Sequence, residues 1–234
     1  NRNIRNLSEE QELQNKIWQQ LRLAEYINNM PMSQIMIDFT EADDVIAALC
    51  NFQKEENKVI VSSDKDFFQL LDDTTVLYRP VQKEVMNKNR VTDKFLIHPN
   101  NFALARAIAG DKSDNLPGIK GAGLKTIAKK FPDMCGEETY TIKRLLKDCD
   151  KVENKLKIHN AIIENKELIE KNYKIMQLYT PSISTATSAI IKEHIKNYPK
   201  QFARTNIRKM MIEDGFGEMN WSDLFSSLNK IHRG

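Results

Sequence analysis

The sequence is poor in the features that mark secretion, membrane insertion or soft-metal chemistry. Its 234 residues hold only three cysteines, Cys50, Cys135 and Cys149. They are widely spaced and form no Cys-x-x-Cys pair, which excludes a zinc knuckle or a dithiol motif and implies reduced thiols in a cytoplasm. The four histidines, His98, His159, His194 and His232, stand isolated, so no histidine metal motif is present and none is assigned a catalytic role. Apolar runs fall far short of the roughly 18–20 residues that span a bilayer, and the polar start Asn1-Arg2-Asn3 carries no signal-peptide core. No membrane partner is expected. Internal repeats and low-complexity segments are also lacking. Net charge is only +3, so an acidic partner must be argued from where the charges lie. With 41% hydrophobic residues, the chain can bury a sizeable core as a soluble protein.

Leu13, Ile17, Leu21, Ala24 and Ile27 draw one stripe down a helix over residues 9–29. Gln34-Ile35-Met36-Ile37 reads as a buried strand, after which Thr40 opens a helix through Leu49. Lys58-Val59-Ile60-Val61-Ser62 is β-branched and short, and leads through Ser63 into a helix containing Phe67, Phe68, Leu70 and Leu71. A third strand is expected at 75–78. Strands alternating with helices predict an α/β layer with a largely parallel sheet. Such sheets bind ligands beyond the carboxyl ends of their strands. From Pro99 onward helical periodicity dominates, with helices predicted at 101–109, 124–130, 139–149, 152–164 and 166–178. The expected division is therefore an α/β part over 1–98 and a helical part over 99–234.

Three acidic clusters fall at predicted strand-to-helix turns or a helix end: Glu41-Ala42-Asp43-Asp44, Asp64-Lys65-Asp66, and Asp111-Lys112-Ser113-Asp114. Taken singly, Thr40 with Asp43 and Ser63 with Asp66 have the spacing of capping boxes, and acids suit a first helical turn. Together they say more. Two of these turns follow neighbouring strands, so their carboxylates would converge and repel one another unless cations neutralise them. An all-oxygen donor set suits Mg²⁺ or Mn²⁺ rather than zinc.

The segment from Ala107 to Lys130 is the most specific in the chain. Gly118 and Gly123 have P-loop spacing, but Leu124 stands where the lysine belongs and no strand precedes the loop. Gly121-Ala122-Gly123 fails as a dinucleotide fingerprint, since Thr126 occupies the third glycine position. A helix, a glycine turn and a second helix remain. Backbone N–H groups around Gly121 and Gly123 suit a phosphate. Residues 115–131 carry Lys120, Lys125, Lys129 and Lys130 and no acid, which adds a local positive field. A solvated helix face with a glycine stop has the same pattern, but Asp111 and Asp114 immediately upstream tie this turn to the candidate metal site.

Glu-Ala-Asp-Asp at 41–44, Ser-Ser-Asp-Lys-Asp-Phe at 62–67 and Gly-Asp-Lys-Ser-Asp-Asn-Leu-Pro-Gly-Ile-Lys-Gly-Ala-Gly at 110–123 resemble, in order and spacing, the 5′ nuclease superfamily. That superfamily includes flap endonucleases, the 5′ nuclease domain of bacterial DNA polymerase I, and phage 5′ exonucleases. The likeness runs from about Asn1 to Phe131, and the helical tail is similar to the carboxyl-terminal region of a T-even-type phage ribonuclease H. The resemblance implies a 5′ nuclease core followed by a helix–three-turn–helix element over about 101–130.

It implies roles as well. Glu41, Asp43 and Asp44 would surround a first Mg²⁺ or Mn²⁺, and Asp64, Asp66, Asp111 and Asp114 would hold a second. Gly118, Lys120, Gly121, Gly123, Lys125, Thr126 and Lys129 would grip duplex DNA, with a K⁺ ion on the loop carbonyls. Arg2 and Arg5 match the end of a basic arch that threads a 5′ single strand. The superfamily pattern also has a first strand bearing an aspartate before the equivalent of Asn1, so this chain is read as following that strand. The implied substrate is DNA with a 5′ tail or flap, or an RNA–DNA hybrid, cut by a monomer in the cytoplasm (a host's, for a phage protein) beside replication proteins. Two other readings compete: a DNA-binding protein of this fold that has lost catalysis, and a PIN-type toxin nuclease, which leaves the glycine turn unexplained.

Overall fold

The computed structural model describes residues 8–153, 156–197 and 203–233. The chain forms two compact units, one built from residues 39–184 and the other from the stretches on either side, up to Asp38 and from Thr185.

The 39–184 unit contains a three-stranded sheet. Strand β1 (Lys58–Val61) pairs in parallel with β2 (Thr75–Arg79), and β2 pairs antiparallel with β3 (Glu84–Met86). Register aligns Ile60, Leu77 and Met86 in one buried row. Helix α2 (Ala42–Phe52) precedes β1, and a single 3-10 turn (Asp66–Leu70) follows it. Helix α3 (Lys88–Phe95) is N-capped by Asn87 and ends on Leu96 in the left-handed region, and α4 (Pro99–Ala109) starts with Pro99 at its first position. Beyond it lie α5 (Leu124–Lys130), α6 (Ile142–Lys151), α7 (Lys157–Glu164) and α8 (Lys166–Met176).

The core centres on α4, which carries few charged residues and is buried on nearly every face. Phe102, Leu104, Ala105, Ala107 and Ile108 are all 0–2% exposed. Phe102 meets Phe68 of the 3-10 turn and Phe95 of α3 in a triangle of rings with centroids 5.3–5.6 Å apart. Each fully buried Phe, Leu or Ile among them contributes about 1.5–3 kcal/mol through apolar burial. That burial fixes the 3-10 turn and α4, two of the three elements that deliver acidic side chains to the site.

The second unit contains α1 (Glu9–Asn28), α9 (Thr185–Lys196), α10 (Arg204–Glu213) and α11 (Trp221–Arg233). Ser8 and Gln11 form a capping box at the start of α1. A small core gathers Tyr26, Ile207, Met210 and Met211, and Asp214 accepts from both Arg22 Nε (2.7 Å) and the Tyr26 hydroxyl (2.6 Å). Among the described residues, no helix is long and apolar enough to cross a membrane.

Several local expectations need correction. Residues 34–37 are not a strand: Met36 is 92% exposed, and Gln34 instead donates to the Ala24 carbonyl and the Asn28 side chain at 3.0 and 2.7 Å. A short apolar run with no partner strand cannot satisfy its backbone as a ladder. The run after Ser63 forms a 3-10 turn rather than a full helix. The β2–β3 hairpin makes the sheet mixed, while the β1–β2 pair is parallel as expected.

Candidate metal centre

Each acidic cluster is presented by a distinct local device. Glu41 is the N-cap of α2 and makes no side-chain cap bond of its own. Asp43 and Asp44 occupy the first turn. Beyond β1, the Asp64 N–H donates to Ser62 Oγ (3.1 Å) and the Asp66 N–H to Asp64 Oδ1 (2.9 Å), an Asx-type turn in place of a Ser63/Asp66 box.

The third cluster depends on glycine. Gly110 (φ +76°) ends α4, and its chain crosses that of Gly118 so closely that a Cβ on Gly118 would lie 1.9 Å from the Ala109 oxygen. The crossing closes a loop in which Asp111 and Leu116 exchange backbone hydrogen bonds of 2.8 and 2.7 Å. Asp111 and Asp114 therefore emerge at one end of α4.

Glu41, Asp43, Asp64, Asp66 and Asp114 line one cavity of about 400 Å³, walled on its other side by Leu116, Ile175, Met176 and Leu178. Asp66, Asp111 and Asp114 each offer a carboxylate oxygen within 4.8 Å of the others. Asp111 does not line the cavity wall; its Oδ1 accepts from the Ser113 N–H at 2.8 Å and from the Ser113 hydroxyl. Asp44 also lies off the wall, with Oδ1 accepting the Ser182 N–H at 2.8 Å.

The electrostatics reflect this crowding. Partial burial, then the charges of Asp64, Asp66, Glu41 and Asp44, raise the Asp43 pKa above the ordinary carboxylate range. Burial raises that of Asp66 against the opposing pull of Arg106. Burial would also raise Asp111, but the Ser113 hydrogen bonds and Arg106 outweigh it and hold its pKa low.

Arg106 is the residue that sequence reasoning missed. Its Nε donates to Asp66 Oδ1 at 2.9 Å and its terminal nitrogen pairs with Asp111. An arginine within the apolar run of α4, one turn before the acidic loop, was the available signal.

The glycine hairpin turns its apolar side inward. Ile119, Ala122 and Ile127 are buried, while Lys120, Lys125 and Lys129 are exposed. Gly121 has φ +82°, Gly123 is the N-cap of α5, and Thr126 donates its N–H to the Gly123 carbonyl at 2.8 Å. Arg2 and Arg5 lie outside the described residues.

The oxygen-only donor set fits a hard divalent cation, since neither histidine nor cysteine lines the cavity. Fold and site together define a mixed α/β class with an acidic centre beside a basic helical hairpin. Residues 7–96 match the family described as the 5′-3′ exonuclease, N-terminal resolvase-like domain. A 5′-3′ exonuclease of Aquifex aeolicus is 37% identical over 60% of this chain and 46% of its own length. The thermostable DNA polymerase I of Thermus aquaticus is 31% identical over 68% of this chain and 18% of its own. This chain thus spans about half the length of the exonucleases it matches, and far less of the polymerase.

Among solved structures, a T5 5′-exonuclease with bound zinc superposes with a TM-score of 0.66 at 18% identity, over 83% of this chain and 73% of that one. A T5 flap endonuclease in complex with DNA and metal ions gives 0.65 at 18% identity, over 84% and 74%. These likenesses show the fold. Over the part of the chain that matches, this sequence is similar to 5′-3′ exonucleases and to the DNA polymerase I of Thermus aquaticus.

Proposed function

We propose that this chain supplies the metal-binding carboxylates and the backbone grip of a structure-specific 5′ nuclease acting on branched or 5′-tailed DNA, or on an RNA–DNA hybrid. One observation carries the reading: five carboxylates from three separate segments share one cavity beside a lysine-bearing hairpin. Glu41, Asp43, Asp64, Asp66 and Asp114 would hold two Mg²⁺ or Mn²⁺ ions, with Asp111 and Asp44 supporting from behind. Such ions supply an activated water and charge neutralisation at a phosphodiester. Arg106 keeps Asp66 and Asp111 compensated and fixes where they point. Lys120, Lys125 and Lys129, with the free N–H groups at the start of α5, hold the phosphate backbone without reading bases. The Gly118–Gly123 carbonyls are the place for a K⁺ ion. Monomeric action in the cytoplasm beside replication proteins completes the reading, and the T5 neighbours suit a phage source.

A second reading, binding without cleavage, draws on Arg106, which already neutralises two of the acids. Cleavage of a 5′-flap DNA in Mg²⁺ separates the two. Metal-dependent cutting that Asp64→Asn abolishes supports the nuclease; flap binding with no cutting leaves the second reading standing.

A further inference from the structure

Hydrogen bonds from all three acidic elements converge on one stretch of chain, residues 172–182. At its start, Asn172 of α8 is 1% exposed and donates from Nδ2 to the carbonyls of Ala107 (3.0 Å) and Pro117 (2.9 Å). Those two carbonyls bracket the loop that carries Asp111 and Asp114. Further along, buried Gln69 donates from Nε2 to the Met176 carbonyl (3.0 Å) and accepts the Leu178 N–H at Oε1 (2.6 Å). Gln69 belongs to the same 3-10 turn as Asp66. At the far end, the Ser182 N–H meets Asp44 in the first turn of α2, beside Asp43.

The Asn172 amide has only one workable orientation. Its Oδ1 is buried without a partner, and flipping the group would set that oxygen against two carbonyl oxygens. Leaving a buried acceptor unpaired is costly, and the double grip on Ala107 and Pro117 is what offsets it. That grip flanks the glycine crossing, where the Ile119 N–H also donates to the Ile108 carbonyl at 2.8 Å.

We propose that residues 172–182 form a common brace that sets the spacing of the three carboxylate-bearing elements, with Asn172 and Gln69 as positioning residues for the metal centre. The proposal rests on the reading of the cavity as a divalent metal site. Oxygen ligands from separate segments hold an ion only if their backbones keep register, and groups that orient ligands without touching the ion govern its affinity.

The test compares Asn172→Ala and Gln69→Ala with Asn101→Ala in the full chain, each checked for folding by circular dichroism. Asn101 is a matched control: it is 0% exposed, its Nδ2 donates to the carbonyls of Met134, Gly136 and Glu138 at 3.0–3.1 Å, and these bonds reach no acidic cluster of the cavity. Calorimetric titration with Mn²⁺ should show affinity weakened about 10-fold or more in the first two variants and less than about 3-fold in the control. Wild-type affinity in Asn172→Ala, or an equal loss in Asn101→Ala, overturns the brace. Should Asn172→Ala not fold, Gln69→Ala carries the same comparison. If the wild type binds no Mn²⁺, the metal reading fails separately, and amide exchange decides the brace. Exchange at Leu116 and Ile119 that is roughly 10-fold faster in Asn172→Ala supports it, and unchanged protection overturns it.

Discussion

Replacing Gly118 with alanine should damage this protein severely, because the chain crossing at that point leaves no room for a methyl group. The new Cβ would lie 1.9 Å from the Ala109 oxygen, 2.2 Å from the Ala109 carbonyl carbon and 2.6 Å from the Gly110 nitrogen. All three neighbours are backbone, so no side chain can swing away, and the two segments of the crossing must separate by roughly 1.5–2 Å to reach ordinary contact. Separation strains the Ile119–Ile108 hydrogen bond of 2.8 Å and the paired Asp111–Leu116 bonds. Losing two or three such bonds at about 1 kcal/mol each, with overpacking strain of about 1–3 kcal/mol, gives a destabilisation of roughly 3–6 kcal/mol. Gly123→Ala is the contrast: its φ of −66° suits any residue and its Cβ would meet nothing within 4 Å, so about 1 kcal/mol or less is expected. Urea denaturation of both variants measures the difference. A Gly118→Ala protein within about 1 kcal/mol of wild type would refute the crossing as the device that presents Asp111 and Asp114.

Three further outcomes are expected. Changing Lys120 and Lys125 together to alanine should weaken DNA binding similarly across sequences and flatten the log affinity against log salt plot by a slope of roughly 0.9 per lost phosphate contact; an altered sequence preference at unchanged slope would mean the hairpin reads bases. In metal-free protein the raised Asp43 pKa makes the folded state hold its proton more tightly than the unfolded one, so this residue's contribution falls as pH rises from the ordinary carboxylate range of about 4 through the raised value. Asp43→Asn should accordingly gain stability over wild type as pH climbs through that window and show no gain below it; a gain confined to low pH would reverse the sign and refute the crowding. Arg106→Met leaves Asp66 and Asp111 uncompensated, and since these side chains are 12–16% exposed the metal-free protein should lose roughly 2–4 kcal/mol in urea melts; no loss would mean that the pair is unimportant.

Much of the site was legible because its chemistry is written in short motifs. Glu41, Asp43, Asp64, Asp66 and Asp114 meet in one cavity although the strand expected at 34–37 is absent, since the ends of α4 and β1 and the start of α2 suffice to converge them. The α5 boundaries were readable from Gly123 and the lysine-rich turn that follows. The β2–β3 hairpin was not: its turn places Lys83 at φ +52°, with none of the Asn-Gly chemistry that marks such turns in sequence. Helix α3 was hidden for a related reason, since Val91 is its only buried residue and it shows no apolar stripe. Asn172 and Gln69 act through partners 65 and 107 residues away, a range over which no local pattern carries information.

The central claim, that the acidic cavity is a divalent metal site, is tested most directly by anomalous X-ray scattering from crystals soaked in Mn²⁺. The account predicts manganese peaks within bonding distance of Asp43, Asp64, Asp66 and Asp114, and their loss in Asp64→Asn. A fully soaked crystal with no peak in this cavity, or with manganese only at acids elsewhere on the surface, would contradict it.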